Sequence, residues 1–320
     1  MNDPSEQPVD ILDQKNWLTD LRTKSGLSWS ELAKRTGIAQ GTLSQFGSAK
    51  GYGGDEQSVA DRIFRYRQMI AQQASIEVEA PTAPGYFKTE TSASLCQLLN
   101  WAQRGKIIVA ALGPGLGKTK TAEHFAACYA NVFMATMKPS SAGVNNMQIE
   151  LLRVMGEKNA VGTPQKLSQR IIEIVENLDH AVIVIDEAQH LSEKALEEIR
   201  SWHDAVKVGI ALLGNSGVMQ RLEGGSRSTA YAQLFSRLSL RMVRNQPLNG
   251  DIDALADAWG IFDEGITEYL RKICMTPGGL RNGTHALELA SMIASSDGKT
   301  LEIGHLQDAW AQLSSRPVLA

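Results

Sequence analysis

Cysteine is scarce: three in 320 residues, Cys96, Cys128 and Cys274. An odd number, widely spaced and without a CxxC pair, excludes a disulfide framework and a zinc knuckle; buried thiols are expected. Also missing is any run approaching the roughly 18 uncharged apolar residues that a membrane span needs. The opening MNDPSEQPVDILD is acidic and polar where a signal peptide is basic and then apolar. A soluble, cytoplasmic protein with no membrane partner is the expectation. Strong charge of one sign is lacking too, since 32 Lys and Arg stand against 35 Asp and Glu. That excludes a polycation coating nucleic acid by bulk charge and leaves local basic strips open. Internal repeats and low-complexity tracts are absent. What is present is an ordinary globular composition, 43% hydrophobic and 21% charged. The length predicts two domains, or three with a small one, at about 150 residues each.

Residues 1–75 carry short amphipathic helical patterns and are assigned to an N-terminal domain. Pro81, Pro84 and Gly85 mark a linker over 76–88. From 89 to 246 short apolar runs alternate with helical stretches: KIIVAAL, VFMATM, AVIVID, VGIALLG and LSLRMV. Alternation of this kind predicts crossover connections and a mostly parallel five-stranded sheet covered on both faces. From 247 to 320 only helical periods remain.

The sharpest signal is LGPGLGKT, Leu112 to Thr119, between the strand KIIVAA and the helical run KTAEHFAACYA. Strand, glycine-rich loop and helix is the context of a phosphate-binding loop. Gly113, Pro114, Gly115, Leu116, Gly117, Lys118, Thr119 and Lys120 are the candidate ATP contacts, with backbone amides turned to phosphate oxygens at the positive end of the helix. Lys118 neutralises the β and γ phosphates, and the Thr119 hydroxyl ligates Mg²⁺. Leu112 stands where the common pattern has glycine, so a slightly altered start to the loop is expected. Asp186, closing the apolar run AVIVID, is the second expected Mg²⁺ ligand, and Glu187 is placed to polarise the attacking water. The other reading of this acid pair is an N-cap for the following helix, EKALEEIRSW.

GKT, IDEAQH, the strand GIALLGN, LFSRL and PGGLR together resemble an AAA+ ATPase. The resemblance implies an AAA+ P-loop core with a C-terminal helical lid. It makes Asn215 the residue orienting the hydrolytic water, Arg237 the arginine reaching a neighbouring subunit's γ-phosphate, and Arg281 the lid arginine on its own phosphates. Arg241 and Arg244 are rivals for the trans role. A cation supplied in trans stabilises the transferring phosphoryl group and makes hydrolysis depend on assembly.

LSWSELAKRTGIAQGTLSQF, Leu27 to Phe46, reads as two short helices joined at Gly37, with Ser28 and Glu31 as a capping box. It resembles a repressor-type helix-turn-helix, which makes the N-terminal domain all-α and presents Gln40, Thr42, Ser44 and Gln45 to phosphates and base edges. A helical protein-interaction module is the alternative, because charges over 1–75 balance at nine of each sign. This module, the linker, the AAA+ core with GGSRSTAYAQLFSR and the PGGLR lid together resemble the Mu B family of target-DNA activators. That implies ATP-dependent helical filaments, a homo-oligomer on double-stranded DNA with little sequence preference, in a bacterial host's cytoplasm. It also implies a DDE transposase as partner and hydrolysis linked to disassembly. By the same resemblance DNA meets the segment after the second strand, where Lys138, Ser140, Ser141, Arg153 and Lys158 are candidates, with Lys166 and Arg170 a second possibility. Arg227, in the glycine-rich GGSRS loop, serves either DNA or the subunit interface. A nucleotide-switched operator-binding regulator and a replication-type loader are the competing readings; Glu187 argues against a pure switch, which needs no catalytic base.

Overall fold

The computed structural model describes residues 9–48, 51–79, 83–224 and 236–314. It divides into two compact units, Met1–Pro81 and Thr82–Ala320. In the first, α1 (Ile11–Ser25) begins at Asp10, whose carboxylate accepts from the Leu12 amide at 2.8 Å. The capping box holds at the start of α2 (Trp29–Thr36): the Ser28 amide donates to Glu31 at 2.8 Å, and the Glu31 amide donates back to the Ser28 hydroxyl. Gly37, left-handed at φ 68°, turns the chain towards α3 (Gln40–Phe46). A seven-residue helix is not stable alone. Leu43 and Phe46 anchor it in a core with Leu18, Leu32, Ile38, Val59 and Ile63, each side chain contributing about 2 kcal/mol on burial.

The helix α4 (Glu56–Glu79) runs four residues into the segment read as a linker. Between Gly54 and Pro81 there is no glycine or proline, so nothing in the backbone ends the helix at residue 75.

In the second unit α5 (Glu90–Ala102), capped by Thr89, leads into β1 (Ile107–Leu112). Then come α6 (Lys118–Cys128), β2 (Val132–Thr136), α7 (Val144–Val154), α8 (Pro164–Glu176), β3 (Val182–Asp186), α9 (Glu193–Val206), β4 (Gly209–Gly214), α10 (Ser216–Gly224) and β5 (Leu238–Arg244). The five strands match the apolar runs of the sequence. Their order is β2-β3-β4-β1-β5 and every pairing is parallel. Strand side chains alternate between faces, and the sheet buries both. Ile107, Val109, Ile183, Ile185, Ile210 and Leu212 pack on one side with α7, α8 and α9. Ile108, Ala110, Val182, Val184, Ala211 and Leu213 pack on the other with α5 and α6.

The chain closes with α11 (Asn249–Ala258), α12 (Glu264–Cys274), α13 (Leu280–Ser296) and α14 (Ile303–Ser314), around a core of their own. Asp251, fully buried, ties these helices to α5 and, through Thr91, to Arg244 of β5. Its carboxylate accepts from the Thr91 amide at 2.8 Å, from the Thr91 hydroxyl and from the Leu248 amide at 2.9 Å. The Thr91 hydroxyl in turn accepts from Arg244 at 2.6 Å. No helix of the described residues is long and apolar enough to cross a membrane. The thiols do not share the buried environment expected of them. Cys274 is buried, but Cys128 is exposed at the end of α6 with its sulfur 3.6 Å from His124.

Candidate functional site

The site forms where β1 and β3 end, on the carboxyl side of the parallel sheet, which is where such sheets place ligands. Leu112 is the last residue of β1, paired with Arg244 of β5 and 1% exposed in the core. Its φ is not positive, so an ordinary strand residue serves where the common pattern has glycine. The turn begins one residue later. The Gly113 amide donates to the Arg244 carbonyl at 2.8 Å, and a Cβ on Gly113 would lie 2.4 Å from the Asn245 carbonyl oxygen. Gly115, at φ 73°, passes so close to the lid that a Cβ there would sit 1.8 Å from the Gly278 carbonyl oxygen. Phosphate loop and lid thus meet backbone to backbone. Pro114 is exposed at the loop's apex, Leu116 packs its side chain into the core, and Gly117 starts α6. Lys120 faces outward beside Glu123, at 3.9 Å.

Lys118 lies 2.8 Å from Glu187 and 3.4 Å from Asp186. The Thr119 hydroxyl donates to Asp186 at 2.7 Å. Asp186 is 1% exposed, an expensive place for a carboxylate unless it is paired and hydrogen-bonded. The Thr119 hydroxyl, the Glu187 amide at 2.9 Å and the Lys118 charge meet that need. It is not an N-cap: Ser192 caps α9. Asp186 and Thr119 offer hard oxygens side by side. Two protein oxygens suit a Mg²⁺ that shares the phosphates of its nucleotide, and do not make a resident metal site.

Glu187 has left-handed backbone, φ 55° and ψ 39°. Burial works against its charge. Hydrogen bonds from Lys118 and Gln189, and the positive charges of Lys118 and His190, outweigh that and hold its carboxyl below the ordinary 4.5. Gln189 donates to the second Glu187 oxygen, and its own carbonyl accepts from the Asn215 amide at 3.4 Å. Asn215, exposed just beyond β4, accepts from the Gly217 amide at 2.9 Å. Sequence reasoning passes over Gln189. The signal is there, an amide two residues after the acid pair, but only the single turn over Ala188–His190 folds it back.

The three arginine rivals stand apart. Arg244 is engaged internally through Thr91. Arg241 is exposed on β5. The Arg237 Nε donates to Asp204 of α9 at 2.8 Å. Desolvation pushes Asp204 up, but the hydrogen bond and charge of Arg237, with Arg200 and His203 behind it, bring its carboxyl below the ordinary 3.8. Arg281, exposed at the start of α13, has its Cβ 3.1 Å from where a Cβ on Gly115 would lie. That sets it beside the phosphate loop. Arg227 and most of GGSRSTAYAQLFSR lie outside the described residues.

The candidate DNA-facing residues divide. Lys138, Ser140, Lys158 and Lys166 are exposed. Ser141 is buried, its hydroxyl accepting from the Lys138 amide at 2.8 Å and donating to the Lys138 carbonyl at 3.1 Å, so it shapes the turn. Arg153 pairs with Glu150 at 2.9 Å, and Arg170 pairs with Glu157. Two amides pin the surrounding loops to the start of α7. Asn146 donates to the Ser140 carbonyl at 2.8 Å, and Asn145 to the Gly162 carbonyl at 3.1 Å. In the first unit Gln40 and Gln45 are exposed, while Thr42 and Ser44 are half-buried and Ser44 donates to the Gly41 carbonyl at 3.0 Å.

The family described as Mu B transposition protein, C terminal, matches residues 236–313, and the family described as AAA domain matches 103–222. Over 306 residues the chain is 31% identical to the ATP-dependent target DNA activator B of Escherichia phage Mu, covering 95% of this chain and 96% of that one. It is 33% identical over 272 residues to the Mu-like prophage FluMu DNA transposition protein B of Haemophilus influenzae, covering 83% and 92%. Among solved structures, Drosophila ORC bound to DNA aligns with a TM-score of 0.54 at 12% identity, over 77% of this chain and 66% of that one. A Walker-type ATPase of Pyrococcus abyssi aligns with a TM-score of 0.51 at 14% identity, over 73% and 74%. At such identities the structures speak to the fold alone, the AAA+ P-loop fold.

Proposed function

The chain belongs to the Mu B family of transposition proteins, and we propose that it is a DNA-stimulated ATPase that activates target DNA for a DDE transposase. The observation carrying this reading is the convergence of Lys118 and Thr119 from the phosphate loop with Asp186 and Glu187 from β3 at one end of the sheet. Lys118 binds the β and γ phosphates, and Gly113 to Lys120 wrap them. Asp186 and Thr119 hold Mg²⁺, which when bound neutralises charge on the phosphates. Glu187 takes the proton of the attacking water, Asn215 orients that water, and Arg281 contacts the phosphates from the lid.

Arg237 acts in trans on a neighbouring subunit's nucleotide, so that hydrolysis requires assembly. Its place at the start of β5 and the internal commitment of Arg244 support this choice. The assembly is an ATP-dependent helical filament on double-stranded DNA. Lys138, Ser140, Lys158 and Lys166 contact the phosphate backbone without reading sequence. In the segment 138–170 both carboxylates, Glu150 and Glu157, are neutralised by Arg153 and Arg170. The three exposed lysines make no ion pair with a described residue and carry the surplus charge. The residues 1–75, 76–88, 89–246 and 247–320 act as N-terminal module, linker, ATPase core and lid, and the Gln40–Gln45 face of the module binds DNA, a partner or the filament itself.

ATP turnover with and without nonspecific duplex DNA tests the reading. Stimulation by DNA of any sequence is expected; no stimulation together with tight binding to one site would overturn it in favour of an operator-binding switch.

A further inference from the structure

We propose that Gln189 is a positioning residue for ATP hydrolysis: its amide ties the Glu187 carboxylate to the exit of β4, so that base and sensor strand move together. The inference rests on the reading of Glu187 as the general base. Glu187 has a left-handed backbone that costs a non-glycine residue on the order of 1–2 kcal/mol. Strain of this kind persists only where surrounding contacts enforce it. Each of the two carboxylate oxygens has its own donor, Lys118 at 2.8 Å on one and Gln189 on the other.

The two donors differ in what else they can do. Lys118 is also the phosphate ligand, so a bound nucleotide draws its ammonium away from Glu187. Gln189 is not one of the phosphate ligands, so nucleotide binding does not call its donor away from Glu187. The far end of the same amide is fixed as well, its carbonyl accepting from the Asn215 amide at 3.4 Å. Room for that carbonyl exists because residue 214 is glycine: a Cβ there would lie 2.5 Å from the Gln189 Oε1. One side chain therefore spans from the base to the residue that orients the water.

With one Glu187 oxygen held by Gln189, the other, vacated by Lys118, faces the water. It receives the water's proton as the water oxygen bonds to the γ-phosphorus and the bond from that phosphorus to the β-phosphate's bridging oxygen breaks, leaving ADP and phosphate. A base that rotates freely loses this alignment. Misplacement by about 1 Å costs on the order of a hundredfold in rate.

The test is steady-state ATP turnover by the full chain with duplex DNA and Mg²⁺, comparing wild type, Gln189→Met, Glu187→Gln and the double variant. Methionine keeps the length and volume of the side chain and removes both hydrogen bonds. The expected result for Gln189→Met is a kcat lower by about ten- to a hundredfold with KM and melting temperature unchanged. The double variant is expected to be no slower than Glu187→Gln alone, because residues acting through one another are not additive. Should Gln189→Met fold poorly, Gln189→Asn, which keeps the amide one methylene short of its partners, is expected to show the same loss of kcat. Wild-type turnover in a folded Gln189 variant, with Glu187→Gln inactive, would overturn the proposal and leave Glu187 as the base. A further loss in the double variant equal to that in the single one would also overturn it. Wild-type turnover by Glu187→Gln would instead remove the general-base reading on which the proposal rests.

Discussion

Lys118 is held by two carboxylates at once, 2.8 Å from Glu187 and 3.4 Å from Asp186. Nucleotide must displace those interactions, and Asp186, at 1% exposed, needs a cation nearby in either state. Lys118→Ala is therefore expected to abolish ATP-dependent DNA binding and to lower stability by about 1–3 kcal/mol, from a buried carboxylate left without its cation. Nucleotide-binding titration and thermal melting check the two halves. Arg237 gives a different outcome because its partner, Asp204, is itself partly exposed. Losing that pair costs little stability. Arg237→Ala should bind nucleotide nearly normally and lose DNA-stimulated turnover; normal turnover would move the trans role to Arg241, since Arg244 is committed to Thr91.

The thiols separate by environment. Burial pushes Cys274 up to about 12 from 9.0, while Cys128 is exposed. In the native protein an alkylating reagent near neutral pH should label Cys128 and leave Cys274 unmodified, as peptide mapping would show. A folded-state pKa above the unfolded one gives stability that is complete below about pH 9 and lost towards pH 12. Cys274→Ser should flatten that alkaline decline.

At the scale of elements, the strands are legible in the sequence because parallel strands buried on both faces read as continuous apolar runs. All five runs form strands. The end of α4 is less legible: the prolines mark a linker, but a helix stops only at the residue that breaks it, and Ser75–Glu79 contains none. The candidate DNA-facing segment is legible as a basic stretch but not as a surface. Which of its cations are already paired depends on Glu150 and Glu157 lying beside Arg153 and Arg170. The element-level prediction follows: replacing Lys138, Lys158 and Lys166 together with alanine should reduce the slope of log affinity against log salt by about 3, near 0.9 for each phosphate no longer neutralised. Binding measured from low to high salt on duplexes of unrelated sequence checks this, and the weakening should be uniform across them.

At the scale of the whole molecule, the net charge of −3 conceals opposed blocks, with +4 over 76–172, −7 over 173–199, +5 over 200–245 and −5 over 246–320. The positive blocks hold the phosphate loop, the three exposed lysines and the arginines of β5. In the proposed filament, such modest strips would hold DNA weakly in a single subunit and more strongly once many are aligned. Glu187→Gln, which keeps the hydrogen-bonding shape of the base and removes its proton affinity, should retain ATP and accumulate as long filaments on DNA. Only monomers in negative-stain images of that variant would sink the assembly reading.

The sequence alone marked out the candidate phosphate site, because a glycine-rich loop between strand and helix, followed by an acid pair closing an apolar run, is a local pattern. It also determined the layered sheet, since burial on both faces is written in continuous apolar stretches. Only the tertiary structure decided which polar groups remain free to act. Glu187 meets Gln189 and Lys118, Arg237 meets Asp204, Arg244 meets Thr91, and Gly115 lies against Gly278. A residue's availability depends on neighbours up to 163 positions away along the chain, and spacing in a sequence carries no record of who those neighbours are.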